Sequence, residues 1–495
     1  MLLSLCSVFA SAANNEPEKK VIVLLRGYAT SVLYNMDNGK QVWPITDLGQ
    51  KVAGIIDHYR LSKILPLIKT RYTENLFMRV LADGVMDELF APLAVDDNGN
   101  SINNIKAYPY NLGNIEMVNG IPSTKYYTYK YLQDNGYDKV IIKEAVCDQL
   151  IANGYDAENI FIYNYDFRAS QEEHAAAVSA FIDNVKAATG VSKVDLFGTS
   201  HGGQQVASYL SFYGYKNDVN RAVMVAPAVG GTSVAGELLS GNLSTGATEL
   251  KLSVVELFLN RVDPTVLKTV GKFVGIDQEL VNDTIKYVVD NYLDSFANVK
   301  SLWDFVPNDY YAAAKAYCKS SGIITDANAT LMAGTDTWHN TMANYRTMFK
   351  KTSAKPFIIA NYGTPGILNS NNQSDLIIDL KNATGAEVAD YGKIFEDGRI
   401  FKAETGFLPE TTYYINGGLH GKFEEDKYCM SLLREIYNGN LDTPSAAYPI
   451  SEDRQAVEKT TAEKLSDAAK KLTTSLSKSL SKIAKKSKLL SAFAK

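Results

Sequence analysis

The chain has 495 residues, of which 46% are hydrophobic and 21% are charged, and its formal net charge is −5. This length allows one large α/β domain with insertions, or two domains. The mildly acidic balance gives no reason to expect nucleic acid as the main partner. No apolar run reaches the roughly 18–20 residues that a membrane-spanning helix needs.

Residues 1–18 predict a secretory signal peptide and leader. The apolar start ends in Ala-Ser-Ala at 10–12, the small-x-small pattern that a signal peptidase accepts, and polar residues follow. A buried first strand is the alternative. Three widely spaced cysteines remain after such cleavage: Cys147, Cys318 and Cys429. They predict no disulfide framework and no metal site, although a single bridge between two of them stays open.

Residues 19–230 predict the first part of an α/β core. Apolar residues at helical spacing over 171–188 indicate a helix, and a shorter helix is predicted at 202–212. β-Branched runs bounded by polar residues or glycine indicate buried strands, and strands that alternate with helices imply a mostly parallel sheet. An irregular insertion rich in Asn, Tyr and Gly interrupts this part at 30–135. The predicted strands cover 20–25, 159–163, 193–197 and 221–226.

The strand–helix alternation stops at 231–352, which predicts a helical cap, or lid, over the strand ends. Amphipathic helices are expected there at 252–262 and 278–296. Residues 353–440 then supply the second part of the core. They contain predicted strands at 356–362 and 411–416 and a final helix at 424–437.

Residues 441–495 predict a linker and a basic tail. From 458 to 495 there are ten lysines and three acidic residues, a net charge of +7, which leaves −12 for the rest of the chain. A basic amphipathic helix of this kind suits an anionic membrane or cell-envelope surface, and a solvated tail is the alternative. Its apolar residues recur at helical spacing: Leu472, Leu476, Leu480, Ile483 and Leu490.

A Gly-x-Ser-x-Gly sequence centred on Ser200 lies between a predicted strand and a predicted helix. This is the context of the nucleophile elbow of an α/β-hydrolase. The tight turn requires neighbours without side chains, which Gly198 and Gly202 provide, and Gly203 lets the helix pack closely. Ser200 is therefore the predicted nucleophile. The alternative is a glycine-rich turn with an exposed serine.

An elbow serine needs a base and a carboxylate that orients it. His420 lies in a glycine-rich loop after the last predicted strand and is the predicted base. The carboxylate is expected between serine and histidine in chain order. Asp397 is preferred because its Asp-Gly turn presents the side chain from a loop, and Asp390 is the second choice. Asp375 and Asp379 lie in a segment that alternates like a strand or helix edge.

The developing oxyanion needs backbone donors. The predicted donors are the N–H of His201, which follows the nucleophile, and the N–H of Tyr28, in the loop after the first strand. Gly27 permits close approach there, and a plain glycine turn is the alternative. Each donor contributes roughly 3–4 kcal/mol of transition-state stabilisation. This chemistry requires no metal and no organic cofactor.

Several segments together resemble the lecithin–cholesterol acyltransferase-like lipases. They are LLRGYATSVL followed by QVWP, NYDFR at 164–168, FGTSHGG, NYGTPG at 361–366, EDGRI and LHG, and they occur in the order of that family. The resemblance implies lipid ester hydrolysis or acyl transfer, a helical cap and export. Position by position, it supports the catalytic set Ser200, Asp397 and His420, with the N–H groups of Tyr28 and His201 as oxyanion donors.

The sequence thus predicts the α/β-hydrolase fold, a mostly parallel central sheet flanked by helices with a helical cap insertion. The predicted function is a secreted serine hydrolase that cleaves carboxylic esters of lipids through an acyl-enzyme. A lipid acyltransferase, a serine peptidase and a non-catalytic surface-binding protein are the alternatives. The expected partners are a lipid or other ester and, through the tail, a membrane surface.

Overall fold

A computed structural model describes most of the chain. The predicted signal peptide at 1–18 and the basic tail at 458–495 lie outside the described residues. The described residues are 19–45, 48–64, 70–110, 115–118, 120–137, 144–253, 255–256, 264–345, 349, 352–368, 373–388, 400–443, 448 and 453–455.

The core is a seven-stranded sheet in the described part of the chain, with strand order β6-β7-β5-β4-β3-β1-β2. Neighbouring strands are parallel except for β6, which runs antiparallel to β7 at one edge. The predicted mostly parallel sheet is confirmed, and β6 is the strand that the sequence did not predict. The strands are β1 (Ile22–Leu25), β2 (Ile160–Tyr163), β3 (Val194–Thr199), β4 (Val219–Val225), β5 (Lys355–Tyr362), β6 (Ile400–Lys402) and β7 (Thr412–Asn416).

Helices cover both faces of this sheet. Within the described ranges, the α-helices are α1 (Leu48–His58), α2 (Leu61–Ile64), α3 (Arg71–Val85), α4 (Tyr129–Asp134), α5 (Glu144–Ala152), α6 (Gln171–Thr189), α7 (His201–Tyr213), α8 (Ser233–Leu239), α9 (Pro264–Val270), α10 (Gln278–Ala297), α11 (Lys300–Asp304), α12 (Asn308–Ser320), α13 (Ala329–Met342), α14 (Leu380–Thr384) and α15 (Lys427–Tyr437).

Short strand pairs lie outside the central sheet. Leu33–Asn35 pairs with both Lys40–Trp43 and Ile105–Ala107 in a three-stranded antiparallel sheet. Two further antiparallel pairs join Met117–Val118 to Ile121–Pro122 and Ala386–Val388 to Asp453–Gln455.

The central strands are apolar on both faces because both faces are buried. In β1, Val23 and Leu25 join the cluster that contains α6 and α7, and we call this side the α7 face. Ile22 and Leu24 point the opposite way, into the cluster that contains α5 and α15, which we call the α15 face. Two-sided burial explains why these strands appear in the sequence as continuous apolar runs.

Helix α6 illustrates how local sequence sets the element bounds. It begins at a capping box in which Ser170 accepts from the Glu173 N–H and the Glu173 carboxylate accepts from the Ser170 N–H. It ends at Gly190, whose φ of 78° closes the last turn in the left-handed conformation. The helix is therefore specified at both ends by residues that satisfy its unpaired backbone groups.

The cap is built from two separate insertions. Helices α8 to α13 lie in the predicted cap region, and α3 packs along α10 from the other insertion. Phe77 of α3 belongs to a buried cluster that also includes Val270 and Leu280. The prediction of irregular structure throughout 30–135 is therefore wrong for α1 and α3, because these helices bury their apolar faces against a segment about 200 residues away in the chain.

Two further properties concern the described residues as a whole. No described helix has both the length and the apolar character that crossing a membrane requires. The cysteines Cys147, Cys318 and Cys429 are buried and free, each in a different helix. Burial raises the pKa of the Cys318 thiol to about 12, so this thiol is protonated at neutral pH.

Candidate active site

Ser200 lies at the abrupt turn between β3 and α7. Its backbone has φ 53° and ψ −119°, a conformation that a residue with a side chain rarely adopts. The Ser200 N–H donates to the Val225 carbonyl of the neighbouring strand β4 at 3.0 Å, which ties the strained residue to the sheet. Strain of this kind is typical of a nucleophile elbow, where it exposes Oγ above the sheet edge.

The three elbow glycines are required by close backbone contacts. A Cβ on Gly202 would lie 2.0 Å from the carbonyl oxygen of Leu25, and one on Gly198 would lie 2.3 Å from that of Gly202. A Cβ on Gly203 would lie 2.4 Å from the Cβ of Pro227. No other residue type fits at these positions without displacing backbone, so the packing of the elbow accounts for all three glycines.

The structure brings His420 to Ser200 although they are 220 residues apart in sequence. His420 lies in the turn after β7, and its Nε2 is 3.0 Å from the Ser200 Oγ. Its Nδ1 is 2.8 Å from the Oδ2 of Asp375, and its backbone N–H donates to the Asp375 carbonyl at 2.8 Å. The imidazole is thus held between a hydroxyl and a buried carboxylate.

Asp375 therefore occupies the position that was predicted for Asp397. The Nδ1 of His420 can donate one hydrogen bond, and the acceptor in the structure is the Asp375 carboxylate. Asp397 and Asp390 both lie outside the described residues. The carboxylate that contacts His420 thus lies in the loop after β5, about 20 residues before Asp397 in the sequence.

A tight turn explains how Asp375 is held. Its Oδ1 accepts from the N–H groups of Ile377 at 3.1 Å and Ile378 at 2.8 Å, while Oδ2 faces His420. Leu376 between them has φ 99°. The Thr232 hydroxyl, at the start of the cap, donates to the Ile377 carbonyl at 2.8 Å. A Ser-Asp pair whose side chains bond the backbone two and three residues later is a turn signal, and it was obscured here by the apolar alternation that follows.

The two segments that carry the predicted oxyanion donors both lie next to Ser200. Strand β1 pairs with β3, so the loop after Leu25 runs beside the elbow. A Cβ on Gly27 would lie 3.5 Å from the Ser200 Cβ, which places the Gly27–Tyr28 backbone within reach of a group bound to Oγ. His201 begins α7, whose first N–H groups have no partner within the helix and carry the positive end of its dipole.

A cavity of about 860 Å³ opens at Ser200 and His420. This volume is near the upper end of the range for small-molecule sites. The walls are overwhelmingly apolar and come from two sides. The cap side contributes Val234, Leu238, Leu250, Ile285, Leu302 and Phe305. The α15 face of the core contributes Leu24, Val146, Phe197, Ala226 and Phe423.

Other buried histidines near the core are neutral. Burial lowers the pKa of His174 to about 4, and it lowers the pKa of His201 well below its ordinary value. Among the described residues, no group of three His, Cys, Asp or Glu side chains is arranged to hold a metal ion.

The order of the functional side chains along the chain decides the fold assignment. The serine follows β3, the carboxylate follows β5 and the histidine follows β7, all at the carboxyl end of one mostly parallel sheet. The chain has the α/β-hydrolase fold.

Comparisons with known proteins find only distant structural similarity. No protein-family model matches the sequence, and no curated protein matches it. The lipase BlEst2 of Bacillus licheniformis in its mature form is 10% identical, with a TM-score of 0.26, over 59% of this chain and 82% of that chain. A monoacylglycerol lipase of Paleococcus ferrophilus is 13% identical, with a TM-score of 0.27, over 62% and 89%. The phospholipase PlaB of Legionella pneumophila is 11% identical, with a TM-score of 0.26, over 63% and 64%.

Similarity at this level carries no argument about activity. The fold assignment above rests on strand order, elbow and side-chain order alone. Membership of the lecithin–cholesterol acyltransferase-like lipases stays an expectation from sequence.

Proposed function

We propose that this protein is a serine hydrolase that cleaves carboxylic esters with long, lipid-like acyl chains. The observation that carries the proposal is the position of the Ser200 Oγ. It lies 3.0 Å from the His420 Nε2 and lines an apolar cavity of about 860 Å³. A base-activated hydroxyl beside a large apolar cavity can attack an ester whose acyl chain fills that cavity.

The reaction follows from the hydrogen-bond arrangement. Asp375 accepts from Nδ1–H of His420, which leaves Nε2 free to take the Ser200 proton as Oγ attacks the ester carbonyl. The N–H groups of Tyr28 and His201 stabilise the oxyanion. His420 returns the proton to the leaving alcohol, and the acyl-enzyme remains. Water then attacks this ester, again with His420 as base, and the carboxylic acid and free Ser200 are released.

The character of the cavity favours a lipid ester over a peptide. Each methylene buried against these walls contributes about 0.8 kcal/mol. A peptide would place amide N–H and C=O groups against the same apolar side chains, and each group left without a partner costs roughly 1–3 kcal/mol. The energetic balance therefore favours an aliphatic acyl chain, and the peptidase alternative is the weaker one.

A fluorophosphonate probe tests the assignment of the nucleophile. We expect the wild-type protein to hydrolyse p-nitrophenyl octanoate and to form one covalent adduct, located on Ser200 by peptide mass spectrometry. Ser200→Ala should lose both the turnover and the adduct, because the Ser200 Oγ is the hydroxyl that the His420 Nε2 contacts. The control Ser320→Ala, at an exposed position in α12, should behave as wild type.

Two other results would contradict the proposal, each in a different way. An adduct that persists in Ser200→Ala would contradict the assignment. A wild-type protein with neither ester turnover nor labelling would favour a non-catalytic surface-binding protein on this fold.

We also propose that the basic tail at 458–495 attaches the enzyme to an anionic lipid surface. Its net charge is +7, and each lysine near an anionic membrane contributes about 1 kcal/mol. Together with the signal peptide predicted at 1–18, this would place the enzyme at an extracytoplasmic surface, where lipid esters are available.

Deleting residues 456–495 should weaken binding to vesicles of phosphatidylcholine with 30% phosphatidylserine by at least about tenfold in co-sedimentation. Binding by the full chain should also fall as salt is raised, because the attraction is electrostatic. Pure phosphatidylcholine vesicles are the control. Equal binding by both forms to the anionic vesicles would show that the tail is only a spacer.

A further inference from the structure

Tyr165 follows β2, and its buried hydroxyl contacts both segments that supply the oxyanion donors. The Oη lies 2.8 Å from the carbonyl oxygen of Arg26 and 2.7 Å from that of Gly27, in the loop before Tyr28. It also lies 3.2 Å from the Nδ1 of His201. We infer that Tyr165 is a positioning residue that holds the two oxyanion donors in place, an inference that rests on the proposed function.

The contact with Gly27 restrains a peptide plane. In a trans peptide the carbonyl and the following N–H point in opposite directions, so the Gly27 carbonyl fixes the direction of the Tyr28 N–H. The Tyr165 hydroxyl donates to this carbonyl, which also accepts from the Thr30 hydroxyl at 2.7 Å and from the Thr30 N–H at 3.3 Å, both within the same loop. Glycine has little conformational resistance to a change of backbone angles. Without the Tyr165 hydroxyl, the Gly27 carbonyl keeps only donors from its own loop, so this peptide loses its tie to strand β2 and the Tyr28 N–H is less firmly directed at the developing negative charge.

The number of available protons determines the direction of the hydrogen bond between Tyr165 and His201. The Tyr165 hydroxyl has one proton, which the two loop carbonyls share, so it accepts from Nδ1–H of His201. The Nε2 of His201 is then an acceptor, and the Gln171 side-chain amide is 2.5 Å from it. The second proton of that amide reaches the Gln204 Oε1 at 3.1 Å. Each of these side-chain protons on Tyr165, His201 and Gln171 therefore has an acceptor. His201 is neutral in this arrangement, in agreement with the burial that lowers its pKa.

The network is anchored beyond the elbow. The Gln204 side chain donates to the Asp304 carbonyl at 2.8 Å, and the Gln171 N–H donates to the Asp304 carboxylate at 2.6 Å. Asp304 ends helix α11 of the cap. Tyr165 is itself only 2% exposed, and its ring packs edge-on against those of His174 and His201. The donors are therefore fixed before substrate binds, which is the condition for effective electrostatic stabilisation.

Tyr165→Phe removes the hydroxyl and keeps the ring. We expect kcat for p-nitrophenyl octanoate to fall by about 10- to 100-fold with KM nearly unchanged, because loss of a whole oxyanion donor costs about 10²–10³. The rate of fluorophosphonate labelling should fall by a similar factor. The control is Tyr163→Phe, in the same segment, because the Tyr163 hydroxyl has no hydrogen bond to the described residues. Thermal unfolding of both variants separates a loss of fold from a loss of rate.

A second pair of variants does not depend on the folding of Tyr165→Phe. His201→Asn keeps a side-chain N–H near the position of Nδ1, whereas His201→Leu removes it, and we expect kcat of the leucine variant to be at least about tenfold lower. A Tyr165→Phe kcat within twofold of wild type, or equal kcat in the two His201 variants, would overturn this inference and leave the proposed function intact. An inactive, unlabelled wild type would overturn the proposed function itself.

Discussion

Replacing Asp375 by asparagine is expected to lower kcat for ester hydrolysis by about 10⁴-fold with little change in KM. The amide can keep the turn, because its oxygen can still accept from the N–H groups of Ile377 and Ile378. Its nitrogen then faces the His420 Nδ1 as a donor. The imidazole must then adopt the tautomer that carries its proton on Nε2. In this tautomer Nε2 can no longer accept the Ser200 proton.

Steady-state kinetics on p-nitrophenyl octanoate, with circular dichroism to verify folding, measures this effect. Asp397→Asn is the matched control, since it makes the same chemical change at the carboxylate that the sequence favoured. Its kcat should lie within twofold of wild type. Full activity in Asp375→Asn combined with a large loss in Asp397→Asn would restore the sequence-based assignment.

The contrast between these two aspartates shows what local sequence can and cannot determine. The Asp-Gly pair at 397 is a strong turn signal, but a turn signal does not say whether the side chain reaches the histidine. The position of Asp375 depends on Leu376 at φ 99° and on the Thr232 hydroxyl about 140 residues away. Neither leaves a local pattern, so the sequence did not single out Asp375 as the carboxylate that contacts His420.

The contact between Ser200 and His420 was predictable for the opposite reason. The elbow is encoded in five consecutive residues, because Gly198 and Gly202 must lack side chains for the turn to close. The loop of His420 is marked by glycines directly after an apolar strand. Strand β6 was not predicted because it is only three residues long and lies antiparallel at the sheet edge.

The cap also shows the limit of local patterns. Helix α3 follows the N-cap residue Thr70, which forms a capping box, and carries buried apolar residues on one side. Its packing partner, however, is α10 in the other insertion. Its position is fixed by long-range contacts, including an ion pair between Arg71 and Asp277 and a hydrogen bond from the Tyr287 hydroxyl to Asp83. The sequence of one insertion alone therefore does not indicate that the two insertions together form one cap.

The cap side of the cavity leads to the second prediction of large effect. We expect kcat/KM to rise about fourfold for each methylene added to the acyl chain of p-nitrophenyl esters, because each buried methylene contributes about 0.8 kcal/mol. From butyrate to octanoate the increase is on the order of 200-fold. We assign the acyl chain to the cap side because six apolar side chains of the cap line the cavity there.

Leu238→Trp tests that assignment, because Leu238 lines the cavity from helix α8 and a larger side chain there would occupy space that the acyl chain needs. We expect the rise in kcat/KM to stop at a chain several carbons shorter than in wild type, while the shortest esters react at nearly unchanged rates. Leu76→Trp is the matched control, since Leu76 is 45% exposed on α3 and does not line the cavity.

A wild-type rate that falls from butyrate onward, or the same chain-length profile in Leu238→Trp as in wild type, would contradict the placement of the acyl chain. Because Ser200 and His420 are untouched in both variants, such a result would bear on the cavity and leave the catalytic side chains as assigned.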